Sequence, residues 1–367
     1  MRLRTWQRAV CAAASVVAVL GAGASLAATP AEAAPSSWWQ LSSSARPAQI
    51  EPGTAKDETE MLTVTATSGT YTLRAPNSGA QGAPDEGQVE NVNFVKLPFN
   101  ANAVQVQGAL AQMVGAGNVA VAEESSSPRE FLIAFQGARS DQPVQLLAEG
   151  KATLTELSMG RPDGEVFLTA ENLGDSPIQA EANPVTITDA LPPGLRAVSV
   201  NASSPNGITQ RSPFPCAEPP AQPSCSFGGS TGPHVLAPYD LLEMRIGVVA
   251  EPGAHTGEDN RVIVSGGGTP AASLTRPVAF GSAPPPFGLA DFRMAFEEEG
   301  GAADIQAGSH PFQFTTTVVI NEGPPQRFPE VLNRREVQKA NGEPAGLAKD
   351  VYTKLPVGLI GNPNAYP

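Results

Sequence analysis

The chain has 367 residues, with 36 Gly, 36 Pro, three His, three Cys, and 36 acidic against 23 basic side chains. A formal net charge of -13 repels phosphate backbones and anionic headgroups, which excludes nucleic acid and charged membrane surfaces as natural partners and leaves solubility as its role. The length suffices for two or three domains.

The first 33 residues carry Arg2, Arg4 and Arg8, an apolar run from Ala9 to Ala28, and the small-x-small sequence Ala31-Glu32-Ala33. That order is the order of a secretory signal peptide, with cleavage expected after Ala33. No second run of roughly 20 apolar residues follows, so no membrane insertion is expected once the signal is removed. Cleavage would take the formal charge from -13 to about -15, because three Arg and one Glu leave with the signal. Cys11 lies too early in the apolar run to be a lipoprotein cysteine. Residues 34–45, with Trp38-Trp39, read either as a linker or as a first strand. In the second case the strand belongs to the sandwich further on, and the next module is inserted behind it.

Residues 46–152 read as a small α+β module. Strand-like runs at Met61 to Ala66, Thr70 to Arg74, Val119 to Ala122, Glu130 to Phe135 and Val144 to Ala148 surround one helical stretch. That helix starts at Asn102, a good N-cap. Val106, Leu110, Met113 and Val114 fall on one face, and Gly115 and Gly117 can end it.

From 153 to 281 the pattern is all β. Val166, Leu168 and Ala170 alternate with polar residues, the mark of a strand with one buried face. In Leu191-Pro-Pro-Gly-Leu195, Pro193 presets φ and Gly194 supplies the positive φ of a type II turn. Cys216 and Cys225 are the two cysteines left after cleavage; close together, in an exported chain and bracketed by prolines, they are expected to form a disulfide. Residues 282–287, Ser-Ala-Pro-Pro-Pro-Phe, read as a stiff polyproline linker. Residues 288–367 read as a second β-sandwich. It contains the Thr-rich run Phe312 to Asn321 and ends in Lys354-Leu-Pro-Val-Gly-Leu359, which matches Ala190-Leu-Pro-Pro-Gly-Leu195. Far fewer residues follow the second phrase than the first, so this sandwich is expected to be truncated.

The residues Glu165-Val-Phe-Leu-Thr-Ala-Glu-Asn-Leu-Gly-Asp-Ser176, Val185-Thr-Ile-Thr-Asp-Ala-Leu-Pro-Pro-Gly-Leu195, Cys225 and Asp259-Asn-Arg-Val-Ile-Val264 together resemble the Ig-like bacterial surface repeat called domain of unknown function eleven. The resemblance implies a seven-stranded or similar sandwich in large envelope proteins, with no activity attached. Pro98 to Leu110, Gly117 to Val121, Phe131 to Gly137 and Gln142 to Leu147 are similar to an α+β repeat of actinobacterial surface proteins, again without catalytic residues. The fold class expected is mainly β: tandem Ig-like sandwich modules preceded by an α+β module with one short helix.

Enzyme-like motifs are few. Gly228-Gly-Ser-Thr-Gly232 has the form of a hydrolase nucleophile elbow, but Pro233 and Pro238 exclude the helix that should follow Ser230. His234, His255 and His310 lack metal-site spacing, with two thiols and one His short of a zinc set. Glu297-Glu-Glu299 has no calcium-loop spacing and reads as a solvated loop. Lys151 and Lys349 are the lysines considered for an isopeptide bond. No catalytic residue, cofactor or metal is expected. The expected role is that of a non-enzymatic, monomeric, secreted or cell-surface spacer meeting envelope or extracellular protein or polysaccharide. The alternative is a carbohydrate- or protein-binding module, for which Trp38 and Trp39 are the aromatic pair that could serve. An exported hydrolase ranks last.

Overall fold

The computed structural model describes residues 36–76, 92–144, 146–206, 210–229, 234–325 and 342–344, with the single positions 346, 349, 350, 352 and 354. Ala33, Ser230 and most of the run from Val351 to Leu355 lie outside the described residues. Over the described residues the protein is mainly β, built of several antiparallel sheets with one α-helix.

The first strand, β1 (Trp39–Arg46), is followed by the α+β module: β2 (Thr59–Val64), β3 (Thr70–Pro76), β4 (Val92–Pro98), α1 (Ala103–Val114), β5 (Val119–Ser126), β6 (Arg129–Phe135), β7 (Leu147–Glu149) and β8 (Ala152–Ser158). Here a four-stranded sheet ordered β5-β6-β2-β8 and a three-stranded sheet ordered β4-β3-β7 enclose a core with the helix. Leu62, Tyr71, Leu73, Phe131, Ile133 and Leu110 fill that core. The helix begins where the sequence places it. Asn102 Oδ1 accepts from Gln105 N (2.9 Å) while Gln105 Oε1 accepts from Asn102 N (3.0 Å), a reciprocal cap that satisfies two otherwise orphaned donors. Val106, Leu110 and Val114 are buried as expected, Ala109 joins them, and Met113 is half-buried. Pairing of β8 with β2 extends this module to Ser158, past the boundary expected at 152.

The sandwich comprises β1 with β9 (Gly164–Asn172), β10 (Ile178–Gln179), β11 (Val185–Ala190), β12 (Leu195–Asn206), β13 (Gln210–Phe214), β14 (Ser224–Phe227), β15 (Val235–Leu236), β16 (Leu241–Ala250), β17 (Asp259–Gly266) and β18 (Thr269–Pro277). One sheet has five strands in the order β1-β9-β16-β12-β13, the other four in the order β14-β11-β17-β18. β1 therefore belongs to this sandwich. Trp39 pairs with Asn172 and Arg46 with Glu165, and the whole α+β module is an insertion between two neighbouring strands. Strict alternation along β9 turns Val166, Leu168 and Ala170 inward against Val185 and Ile187 of the facing sheet, within one core that also holds Trp39, Leu41, Val262 and Val264. The turn into β12 is the expected one: Leu195 N donates to Pro192 O (3.1 Å) and Gly194 has φ 85°. A Cβ at Gly194 would lie 2.6 Å from Ala254 Cα, so side-chain volume as well as φ requires glycine there.

Beyond the sandwich, the described part of 288–367 is a two-stranded ribbon, β19 (Leu289–Glu297) with β20 (Gln313–Ile320), and a short pair, β21 (Glu322–Pro325) with β22 (Gly342–Pro344).

Candidate functional site

Cys216 and Cys225 are joined in a disulfide. They face each other across an antiparallel bridge next to β14, flanked by Ala217 N donating to Ser224 O (2.7 Å) and Ser226 N donating to Pro215 O (2.9 Å). The bond thus staples one extra stretch of chain to the outer strand of the four-stranded sheet.

The remaining sequence candidates do not converge. Ser230 lies outside the described residues. His255 and His310 are exposed in separate loops, whereas His234 is half-buried with its ring edge-on to Phe227 at 5.4 Å. Lys151 and Lys349 are both exposed, which removes the buried setting an isopeptide bond needs. Trp38 and Trp39 are 5% and 6% exposed, so neither presents a binding surface. Trp39 lies in the sandwich core, and Trp38 packs edge-on against Phe312 at 5.9 Å. Glu297 departs from the solvated loop expected of it. It ends β19 with its carboxylate buried, accepting from Gln313 Nε2 (2.8 Å) and Thr315 Oγ1 (2.5 Å) on β20. Among the described residues no group of three or more His, Cys, Asp or Glu side chains is placed to hold a metal ion, and no helix is long and apolar enough to cross a membrane.

Sequence reasoning missed a set of buried acids that join the modules or sit inside them. Asp163, directly before β9, accepts from Thr54 N and Ala55 N (each 2.6 Å), from Thr54 Oγ1 (3.2 Å) and, through its other oxygen, from Ala250 N (2.9 Å). One carboxylate therefore fixes the chain that leaves β1 for the inserted module to β16 of the sandwich. Lys56 and Arg161 exchange both backbone hydrogen bonds beside it, at 2.9 and 2.8 Å.

Asp189, the acid of the first Leu-Pro-x-Gly-Leu phrase, points into the sandwich from β11. Its Oδ2 accepts from Asn260 Nδ2 (2.8 Å) on β17. Burial pushes its pKa up to about 7, against the opposing effect of the Asn260 hydrogen bond. In the inserted module, Glu58 and Glu60 share one face of β2 with Leu62 and Val64. The Glu58 carboxylate accepts from Val144 N (2.6 Å) and also meets the Glu60 carboxyl, which needs one proton between them. Burial, then the contact with Glu58, raises Glu60 to about 9.

The ribbon β19–β20 lies along the open side of the sandwich where β1 and β18 are the outer strands. The contacts are polar. Asp291 is gripped by Arg276 of β18 and by Arg293 Nε (2.8 Å), and Arg293 also donates to Leu41 O on β1. Gln40 donates to Thr317, and Ala48 N donates to Glu322 O (3.0 Å). Arg46 is buried against the Phe167 ring, its Cζ 3.6 Å from the centroid, and pairs with Glu322 (Nε to Oε2, 2.6 Å). At Leu41 a side chain thus takes up a carbonyl of the edge strand β1, and a covered edge is closed to pairing with another chain.

No family model and no curated protein matches this chain. The similarity to domain of unknown function eleven thus rests on the quoted residues alone. Among solved structures, the chain is similar to the C-terminal domain of the AgI/II polypeptide BspA of Streptococcus agalactiae, at 8% identity over 67% of this chain and 93% of that one, with a TM-score of 0.22. A second structure, named BspA_C_WT, matches at 7% identity over 67% and 94% with the same TM-score of 0.22, and at that value neither likeness carries an argument.

Proposed function

We propose that this chain is an exported, non-enzymatic structural protein whose β-modules act as a stiff spacer at the cell surface or in the secreted fraction. The observation that supports this most is the nature of the module junctions. Asp163 on one side and the Arg46–Glu322 and Arg276–Asp291–Arg293 sets on the other replace free linkers with buried, charge-assisted contacts. Removing one partner of such a contact strands a desolvated charge, so the junctions resist bending. The N-terminal residues supply the export half of the reading, and a monomer facing extracellular protein or polysaccharide is its natural setting. Cell fractionation with N-terminal sequencing tests it: a surface or secreted product starting near Ala34 is expected, and a cytoplasmic product starting at Met1 overturns it. The carbohydrate-binding alternative loses its main support with the burial of Trp38 and Trp39.

A further inference from the structure

Three buried polar side chains meet inside the sandwich. Asp189 on β11, Asn260 on β17 and Ser43 on β1 are 0%, 1% and 4% exposed. Asn260 Nδ2 donates to Asp189 Oδ2 (2.8 Å) and reaches Ser43 Oγ of the facing sheet at 3.5 Å. One oxygen is left over on each of the two groups, Asp189 Oδ1 and Asn260 Oδ1, and both are buried with no hydrogen-bond partner among the described residues. An ionised Asp189 would leave both acceptors desolvated and unpaired, which is costly in an interior. Turning the amide over is no remedy, because it sets Asn260 Oδ1 against Asp189 Oδ2, acceptor against acceptor. A single proton on Asp189 serves both. A carboxylic acid and a primary amide side by side close a ring, the amide N–H donating to one carboxyl oxygen and the carboxyl O–H to the amide carbonyl.

We propose that Asp189 and Asn260 form such a neutral acid–amide clasp, Asp189 Oδ1 donating its proton to Asn260 Oδ1, and that the clasp makes the joint between β11 and β17 tighter below neutral pH than above it. Its place gives it leverage. Asp189 stands at the end of β11, directly before the turn that carries the chain across to β12 of the other sheet. The groups around it favour the neutral form. Its main chain is held by uncharged partners, Asp189 N donating to Pro223 O (3.0 Å) and Asp189 O accepting from Gln222 Nε2 (3.3 Å). Asp259 and Arg261 flank Asn260 on β17 but are exposed on its other face. Arg276, the β18 partner of Asn260, donates to Asp291, and so does Arg293. Alternation along β19 turns Asp291 and Arg293 toward the sandwich and Phe292 and Met294 away from it, so the ribbon brings its own acid for these two arginines. Burial is therefore the larger influence on Asp189 and the Asn260 hydrogen bond the opposing one, with a resulting pKa of about 7. Because that value is raised in the fold, the stabilisation is complete below the ordinary carboxylate range and is lost as pH rises through about 7.

Carbon-detected NMR of the purified full chain, labelled with carbon-13 in Asp and Asn, tests it. Asp189 Cγ should titrate near pH 7, and Asn260 Cγ should move with the same midpoint, because loss of the proton frees its carbonyl. Amide protection across 185–190 and 259–264 should fall at least several-fold as pH rises through that midpoint. Asp189→Asn closes the same ring with an amide N–H in place of the acid, so it should abolish the fall. In the Asp189→Asn/Asn260→Asp chain the acid and the amide change places, and the fall should return. The two carbon titrations need no variant, so they decide even where a substituted chain fails to fold. An Asp189 carboxyl that titrates in the ordinary carboxylate range, an Asn260 carbon indifferent to that titration, wild-type protection that is level with pH, a fall that persists in Asp189→Asn, or a folded exchanged chain without one would each overturn the proposal.

Discussion

Replacing Glu60 by Gln should stabilise the inserted module near neutral pH and flatten its pH dependence. Glu60 is 5% exposed, and Glu58 beside it, which burial also raises, accepts from the amide of Val144. Two adjacent carboxylates cannot both ionise at such a site, so Glu60 keeps its proton in the fold, with a pKa of about 9 against an ordinary 4.5. A raised folded pKa means that stability is fully present below the ordinary carboxylate range and is lost as pH rises through about 9. At pH 7 the unfolded chain has released the proton that the fold retains. At about 1.4 kcal/mol per pH unit, holding that proton costs up to about 3 kcal/mol there. The side-chain amide that Glu60→Gln introduces can donate to Glu58 as the carboxylic acid does, without taking up a proton. Glu60→Gln should therefore gain about 1–3 kcal/mol at pH 7, and little at pH 4.5. Urea unfolding followed by amide exchange in 129–135, the strand paired with β2, isolates this module from the sandwich, where Asp189 adds its own decline through about pH 7. A wild-type module whose stability is level from pH 5 to 9, or a Glu60→Gln chain less stable than wild type at pH 7, refutes the shared-proton account.

Asp163→Ala should destabilise the junction by about 2–3 kcal/mol, because it strands the buried amide of Ala250 and the half-buried amides of Thr54 and Ala55; Asp163→Asn should fall between, and urea melts of both variants measure it. Reduction of Cys216–Cys225 should cost the sandwich about 2–3 kcal/mol in the loop-entropy picture, read as a lower urea midpoint with dithiothreitol and no change in a Cys216→Ser/Cys225→Ser chain on adding it. A fluorophosphonate probe should leave Ser230 unlabelled, and Ser230→Ala should shift stability by no more than about 0.5 kcal/mol; stoichiometric labelling at Ser230 would restore the hydrolase reading.

What the sequence shows well is what is decided locally. The Asn102 cap, the burial alternation of β9 and the Pro192–Leu195 turn each depend on a few neighbouring residues, and each stands in the structure where the residues place it. The insertion is different in kind. Trp39 pairs with Asn172 across the entire α+β module, and no periodicity within either strand announces its partner. β18, Thr269–Pro277, is poor in β-branched and aromatic residues and begins and ends with proline nearby, so it carries little strand signal; β17 beside it supplies the order. The buried acids left a trace that could have been used. Glu60 has the same parity as Leu62 and Val64, and Asp189 the same as Val185 and Ile187, so strand alternation alone turns both carboxyls into a core. A charged residue in the inward phase of an otherwise alternating strand marks a proton-holding or hydrogen-bonded site, and reading it as one more solvated side chain overlooks that.

The way the ribbon meets the sandwich explains how sheets can follow one another along a chain without merging. β1 is an outer strand, and its free carbonyl at Leu41 would accept a further strand if one approached in register. The ribbon brings Arg293 to that carbonyl instead, and Gln40 and Arg46 reach out from β1 to Thr317 and Glu322. Side chains need no register over a long edge, only a few fixed points, so the contact closes the first sheet while leaving the ribbon free to turn its apolar face away. Had the apolar face been turned inward, Asp291 and Glu297 would point outward, and the two modules would share one enlarged core. With the polar face inward, the sandwich keeps its core to itself, and the junction is held by charge and hydrogen bonds. Such a junction is cut by altering one buried ion, as at Asp291, with little effect on the sandwich core.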